Sequence, residues 1–281
     1  MPIISGKSVR RGSSSCAYAA FVVHTHELLI AGSTITKRYT SWTRGEPRRE
    51  WRVLNLVHRH AADLVPHPLS AQLEAIPPAI TMSVVPGQPL HGCMSPAQID
   101  ALTAAVKRLW TVPQDAAPRR VPATNDLDLA RTLTAGPRPA RGLTAAAYDA
   151  ATAWWNGPDP AVLQADPPAT VFGHRDPNLP NYLWDGQHIR IVDFEDAAVS
   201  DPATELAILL EHLSARQLNT RALCDHFDVD PGRLLAARRL WAMYWLRLLL
   251  PGGPSHHHNP AGTADAQARR LLHLMDNGGT T

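Results

Sequence analysis

The sequence predicts an α+β protein of two lobes, the first small and β-rich, the second larger and mainly helical. Three observations predict it. Short β-forming runs fill about the first 40 residues. Helical periodicity dominates after Ser95. One strand-loop-strand element, from ATVFGHRD to HIRIVDFED, interrupts the helices. The division expected is 1–85 for the first lobe and 86–281 for the second.

The elements follow in order. CAYAAFVV is rich in β-formers, and ELLIAGSTITKRY pairs two short runs around Gly32. GEPRREWRVLNLVHRH has helical spacing, with Trp51, Val53, Leu54 and Val57 on one face and Pro47 at a helix start. PLSAQLEAIPPAITMSVVPGQPL reads as a strand pair and a turn at Pro86-Gly87. SPAQIDALTAAVKRLW opens a helix with Ser95 as N-cap and Pro96 in the first position. Residues 113–141 are rich in Pro and Arg, with a short helix near Leu127. GLTAAAYDAATAWW is helical, and so is the chain beyond Asp201 except for PGGPSHHHNPAG.

The 281 residues carry a net charge of +2, which selects no nucleic acid or other charged partner. The balance is uneven: 17 basic and 12 acidic residues in 1–169 (+5), 10 and 13 after it (−3). An acidic second part suits a cationic ligand, and a solvated surface of uneven sign accounts for it equally. Cys16, Cys93 and Cys224 are widely spaced and odd in number, which predicts reduced thiols in a cytoplasmic protein. The N-terminus has no apolar run of signal-peptide length. LWAMYWLRLLL is too short to span a bilayer and carries Arg247, so no membrane partner is expected.

The chemistry concentrates in HRDPNLPNYLWDGQHIRIVDFED, from His174. Asp176 follows the run ATVFG, and Asn181 comes five residues later. LWDGQHIRIV makes a tight hairpin around Asp185-Gly186, which returns Asp193 toward Asp176 and Asn181. Two carboxylates and an amide oxygen are donors that Mg²⁺ accepts when it also holds substrate phosphates. Phosphoryl transfer needs one carboxylate to orient the attacking hydroxyl and take its proton, and others to hold metal. Asp176 suits the first task; Asn181 and Asp193 suit the second.

H-x-D-x4-N, then D-F-E twelve residues later, then DPATELA from Asp201, resembles the aminoglycoside phosphotransferase and choline kinase family. That family comprises small-molecule kinases with a protein-kinase-like fold. Arg175 stands where the family usually has Gly, Pro180 where Gly precedes the Asn, and Glu205 where it has Asp. None of these removes a catalytic oxygen. His174 reads as a scaffold residue, Glu195 as a neighbour of the metal ligands, Asp196 as solvated, and Asp201 as a helix N-cap bracing the catalytic loop.

The resemblance implies an ATP site in the first lobe. Lys37 in TITKRY matches the strand lysine that binds the α- and β-phosphates, and Glu50, in the next helix, matches its partner. Glu46 precedes Pro47 and is read as lying before that helix. GSSSCAY matches the phosphate-covering loop with Gly12, Ser15 and Tyr18; Ser14 and Ser15 are its nucleotide contacts, although a plain hairpin turn fits as well. TMSVVPG resembles the adenine-cradling link, with Met82 behind the pocket and the backbone of Ser83 to Val85 facing the purine edge.

The expected protein is therefore an ATP-dependent, Mg²⁺-requiring phosphotransferase acting on a hydroxyl of a small molecule, as monomer or homodimer, with GTP as the alternative donor. An aminoglycoside-type antibiotic is the first acceptor; choline-like, sugar or amino-alcohol metabolites are the others. Acidic residues for a polycationic acceptor are Glu205, Glu211, Asp225, Asp228 and Asp230, and DHFDVDPG reads equally as a helix-capping loop. The competing class is a non-catalytic, nucleotide-binding regulatory protein, favoured by the glycine-poor loop and opposed by intact Asp176, Asn181 and Asp193.

Overall fold

The computed structural model describes residues 19–23 and 26–276. They form two compact units. The first holds the described residues up to Leu90, with Pro96–Pro118 and Pro180–Ala197; the second holds His91–Ser95, Arg119–Leu179 and the described residues from Ala198 onward. Each unit is thus stitched from several chain segments rather than from one cut at residue 85. The Asn181 to Asp193 hairpin belongs to the first unit. Among the described residues no helix is long and apolar enough to cross a membrane.

The first unit is built on an antiparallel sheet of β1 (Ala19–Val23), β2 (His26–Ala31), β3 (Thr34–Tyr39), β4 (Pro68–Gln72) and β5 (Ala79–Ser83). Their order is β1-β2-β3-β5-β4. β2 and β3 join through a two-residue turn, and Gly32 supplies the left-handed φ of 58° it demands. The register sets Leu28 opposite Lys37 and His26 opposite Tyr39. With period-two alternation, these four side chains share one face. Helix α1 (Glu46–His60) follows. It begins one residue before Pro47, at Glu46, because Gly45 takes the turn at φ 77° and Arg44 holds the Glu46 carboxylate through its backbone N–H (2.9 Å) and Nε (2.8 Å). Val53, Leu54 and Val57 are fully buried, each contributing about 1.5–3 kcal/mol.

The rest of this unit comprises β6 (Gln88–Pro89), helix α2 (Pro96–Trp110), β8 (Tyr182–Trp184) and β9 (Ile189–Ile191). Gly87 permits the turn into β6: its φ is 132°, and a Cβ there would meet the Leu183 backbone at 2.9 Å. The β8–β9 hairpin turns through residues 185–188, where Asp185 Oδ1 accepts the N–H groups of Gln187 (2.9 Å) and His188 (2.7 Å). β9 packs on α2 and buries Ile189 and Ile191.

The second unit is mainly helical: α3 (Ala123–Ala135), α4 (Leu143–Trp154), α5 (Asp159–Gln164), α6 (Pro202–Glu211), α7 (Thr220–Cys224), α8 (Pro231–Leu249) and α9 (Thr263–Asp276). α3 spans 13 residues, longer than the short turn expected in the Pro/Arg-rich interval. Leu127, Ala151, Trp154, Leu240, Met243, Leu246 and Leu271 form part of one continuous core. A small antiparallel pair, β7 (Val171–Gly173) with β10 (Ala198–Ser200), crosses it. Val199 is also bonded to residues 119 and 121: Val121 N–H donates to Val199 O and Val199 N–H donates to Arg119 O, both at 2.9 Å. Asp201 caps α6, its carboxylate accepting the Ala203 N–H at 2.7 Å.

Candidate active site

In the first unit, Lys37 extends from β3 into a buried group of carboxylates. Its ammonium is 2.6 Å from Glu50 Oε2, 3.1 Å from Glu195 Oε2, and directly paired with Asp193 Oδ1. Lys37 and Glu50 are each only 2 % exposed. Tyr39, two residues along the same strand face, donates its hydroxyl to Glu50 Oε2. The strand-to-helix spacing of 13 residues therefore brings Lys37 and Glu50 together.

Electrostatics follow from this packing. Burial opposes the Lys37 charge, but Asp193, Glu50 and Glu195 outweigh it and hold the ammonium above the ordinary lysine range. Burial pushes the Glu195 carboxyl up to about 7, with Lys37 opposing and Asp193 adding. Burial, then Glu50, pushes the Tyr39 phenol well up. Burial, then Lys37, lowers the His26 imidazole to about 4, so it is neutral at pH 7. His26, Asp193 and Glu195 each present a ligand atom within 4.8 Å of the others. In this arrangement the Lys37 ammonium is the cation that Asp193 and Glu195 hold.

Asn181 and Asp193 flank the open end of the β8–β9 hairpin. Tyr182 pairs with Ile191, and the Val192 N–H donates to Asn181 O at 2.9 Å. Asp193 sits at φ 72°, a left-handed conformation rare for a residue with a Cβ. Asn181 is 8 % exposed. A carboxylate and an amide oxygen here are hard oxygen donors of the kind Mg²⁺ takes. Asp196, expected to be solvated, is instead 3.6 Å from Arg44 Nη1 and 3.7 Å from Arg49 Nη2.

The link after β5 is partly committed to the sheet. Ser83 N–H donates to His67 O (2.9 Å), and Val84 N–H donates to Ser33 O (2.8 Å). Among the described residues, Val85 N–H makes no such bond. Met82 is buried opposite Ile35. Ser14 and Ser15, with the loop that holds them, lie outside the described residues.

Asp176 belongs to the second unit, half-exposed on the loop after β7. Its neighbour Arg175 has φ 64°. The Arg175 guanidinium forks onto Asp126 of α3 (2.6 and 3.1 Å) and reaches Ser200 Oγ at 3.2 Å. Both ion-pair partners are buried. Burial raises the Asp126 and Glu205 carboxyls, and Arg175 opposes this in both. Glu205 Oε2 accepts the Arg175 N–H at 3.3 Å. Thus two positions that depart from the usual family pattern, 175 and 205, touch each other. Asp126 was not singled out by sequence reasoning; it lies 49 residues from Arg175, and only the fold joins them.

Gly173 ends β7 directly under Glu205, and a Cβ at 173 would fall inside the Glu205 carboxyl group. Gly173→Ala is expected to displace Glu205 and lower stability by about 1–3 kcal/mol. A urea-unfolding midpoint equal to wild type would contradict this packing.

Of the acidic residues considered for a cationic acceptor, Glu205 is used here. Glu211 is fully buried and ion-paired to Arg216, Arg238 and Arg270. Asp230 caps α8 by accepting the Arg233 N–H at 2.6 Å. In the segment PGGPSHHHNPAG, His256 Nδ1 is 2.9 Å from Leu249 O.

After Glu211 the chain turns through His212 and Ser214, whose Nδ1 and Oγ are 2.7 Å apart. Burial, then Arg216, lowers the His212 imidazole to about 3. The folded state therefore binds fewer protons than the unfolded state between about pH 3 and the ordinary histidine value, 6.5. His212 contributes stability above pH 6.5 that is lost on acidification. Thermal unfolding of His212→Gln at pH 6.5 and pH 5 is expected to show an acid loss about 2 kcal/mol smaller than wild type. Identical pH slopes would remove this role.

The family model described as "Phosphotransferase enzyme family" matches residues 31–249. The chain belongs to this family. Solved structures agree in fold with the phosphotransferase family. A choline/ethanolamine kinase family protein from Mesorhizobium loti is 17% identical, with 93% of this chain and 88% of that one covered and a TM-score of 0.69. The kanamycin and GDP complex of APH(2")-IIIa is 17% identical, with coverage of 98% and 95% and a TM-score of 0.68. Choline kinase LicA from Streptococcus pneumoniae is 12% identical, with coverage of 96% and 93% and a TM-score of 0.65. No curated protein sequence matches the chain significantly. The fold is thus that of the protein-kinase-like phosphotransferases, a small antiparallel-sheet lobe and a helical lobe.

Proposed function

We propose that this member of the phosphotransferase family is an ATP-dependent kinase that transfers the γ-phosphoryl group to a hydroxyl of a small molecule. The observation that carries the reading is the buried Lys37–Glu50 pair joined to Asp193 in one cluster. A buried lysine held by a helix glutamate beside a metal-binding aspartate is the arrangement phosphoryl transfer uses. Lys37 binds the α- and β-phosphates, and Glu50 fixes its ammonium. Lys37 also pairs with Asp193, so the phosphate-binding ammonium and the carboxylate that would hold metal lie side by side.

Asn181 and Asp193 hold Mg²⁺, which neutralises charge on the β- and γ-phosphates when bound. Asp176 orients the acceptor hydroxyl and takes its proton as the new P–O bond forms. The purine edge pairs with the Ser83 carbonyl and the Val85 N–H, the latter unspent in the sheet. The protein works in the cytoplasm.

The test is ADP release over a panel of alcohols with Mg·ATP or Mg·GTP, each with and without EDTA. Metal-dependent release with at least one acceptor, and tighter nucleotide binding with Mg²⁺, is expected. Nucleotide binding that ignores both Mg²⁺ and Lys37 substitution would sink the reading. Of the five acidic residues considered for an aminoglycoside-type acceptor, Glu205, Glu211 and Asp230 already bond within the fold, whereas Asp225 and Asp228 stay exposed, so the panel decides the acceptor class.

A further inference from the structure

The second unit carries an excess of positive charge beside the loop that bears Asp176. Glu211, at the end of α6, is 0 % exposed, and its carboxylate meets three guanidiniums. Arg238 of α8 donates Nε to Oε1 at 2.8 Å. Arg270 of α9 donates Nε to Oε2 at 2.9 Å and Nη2 to Oε1 at 2.8 Å. Arg216 reaches Oε2 at 3.5 Å and donates Nη2 to Glu211 O at 3.0 Å. One negative charge thus faces three positive ones. A single forked arginine satisfies a carboxylate; the second and third repel it and each other. Their side chains remain 28, 18 and 26 % exposed, while the glutamate lies beneath them. Burial lowers the Arg216 guanidinium from its ordinary value; Glu211 opposes this, while Arg270 and Arg238 add to it.

The cluster is tied to the reacting loop. Leu179 N–H, three residues after Asp176, donates to Ser214 Oγ at 3.0 Å. Ser214 lies between Glu211 and Arg216. On α8, Trp245 is two turns beyond Arg238 and therefore on the same face. Its ring stands edge-on to His212 at 4.9 Å, and its buried indole N–H has no partner. Around Glu211 the groups are donors and cations with one spent carboxylate, which is the wrong lining for a polycation.

The geometry points to a phosphoryl acceptor that is itself an anion, an alcohol bearing a carboxylate or phosphate group that Arg216, Arg238 and Arg270 hold while Asp176 addresses its hydroxyl. This rests on the phosphotransferase reading above. The two anion sources share one chemistry, bidentate hydrogen bonding to a guanidinium fork, and are separated by the substrates used.

The experiment has two arms on the full chain. In the first, ADP release is followed with Mg·ATP and matched alcohols: hydroxy acids, sugar phosphates, neutral sugars and amino-alcohols. Expected is a kcat/KM higher for one anionic class than for its neutral counterparts. Arg216→Gln, which leaves Glu211 its three shorter bonds from Arg238 and Arg270, should raise KM for that class about 10- to 100-fold with kcat nearly unchanged. Faster turnover of neutral or cationic alcohols, or equal KM in the variant, overturns the proposal and leaves the kinase reading standing.

The second arm needs no turnover. The melting temperature is measured against inorganic phosphate or acetate at constant ionic strength. Stabilisation in wild type that weakens in Arg216→Gln supports the site, and equal shifts in both proteins overturn it. The urea-unfolding midpoint of Arg216→Gln without added anion, compared with wild type, serves as the folding control. If nucleotide binding also fails, the kinase reading falls with it, and the anion shifts alone decide whether the cluster is a binding site.

Discussion

Asp176→Asn is expected to lower kcat by about 10²- to 10⁴-fold, the range of a positioned general base, while nucleotide affinity stays within a few-fold of wild type. Asparagine has nearly the same shape as aspartate and still accepts a hydrogen bond, so the acceptor hydroxyl is still met. What it lacks is the anionic oxygen that takes the proton as oxygen attacks phosphorus. The fold should tolerate the change, because the loop is held by other groups. The Arg175–Asp126 fork, Ser200 and the Arg175 N–H bond to Glu205 fix the residue just before it, and Leu179 N–H to Ser214 fixes the residue three after. Single-turnover phosphoryl transfer and equilibrium nucleotide binding, measured side by side, check both halves. A kcat equal to wild type refutes the role of Asp176, and lost nucleotide binding would assign it a structural one.

How much of this was legible in the chain depended on sequence separation. The Lys37–Glu50 pair was, through the resemblance of TITKRY and RREW to the family's strand lysine and helix glutamate rather than through any local geometry. The β8–β9 hairpin was too: Asp185-Gly186 between apolar alternations is a local signal, and it carries Asn181 and Asp193 to one end. Glu195 was read only as a neighbour of the metal ligands, yet it binds Lys37 across 158 residues. No periodicity reports such a meeting. His26 and Tyr39 entered the cluster through β-sheet register, which the sequence leaves open until strand pairing is known.

The acidic residues of the second unit show the opposite failure. Glu211 in a sequence is simply an acidic residue at the end of an apolar run. Its complete burial beneath Arg216, Arg238 and Arg270, which come from three separate segments of the chain, takes its charge off the surface. Charge counts over 170–281 gave −3, but local charge is decided by which groups are spent inside. Arg175 was marked as a departure from the family pattern; its partner Asp126 sat in an interval whose prolines masked a 13-residue helix.

Lys37→Met is expected to destabilise the first unit by about 3–5 kcal/mol at neutral pH, the usual consequence of removing one partner from a buried ion pair. Methionine fills nearly the same volume, so the loss is electrostatic. Without the ammonium, Glu50, Asp193 and Glu195 face one another with Glu50 fully buried and Asp193 only partly exposed. The pH dependence separates this from a packing defect. Burial already holds the Glu195 carboxyl at about 7 against the opposing pull of Lys37, so removing Lys37 pushes it higher still. A carboxyl raised above its unfolded value contributes stability that is fully present below the unfolded value of 4.5 and is lost as pH rises through the folded one. The variant should therefore be nearest to wild type at about pH 5, where Glu195 carries its proton, and fall furthest behind at pH 8, where a raised Glu195 must ionise beside Glu50 and Asp193. Urea midpoints for both proteins at pH 5, 6.5 and 8 measure this directly. A deficit constant across that range would mean that shape, not charge, is what Lys37 supplies. A deficit that widens with pH, together with loss of Mg·ATP binding, would mean that one charge, the Lys37 ammonium, both balances these carboxylates and holds the nucleotide phosphates.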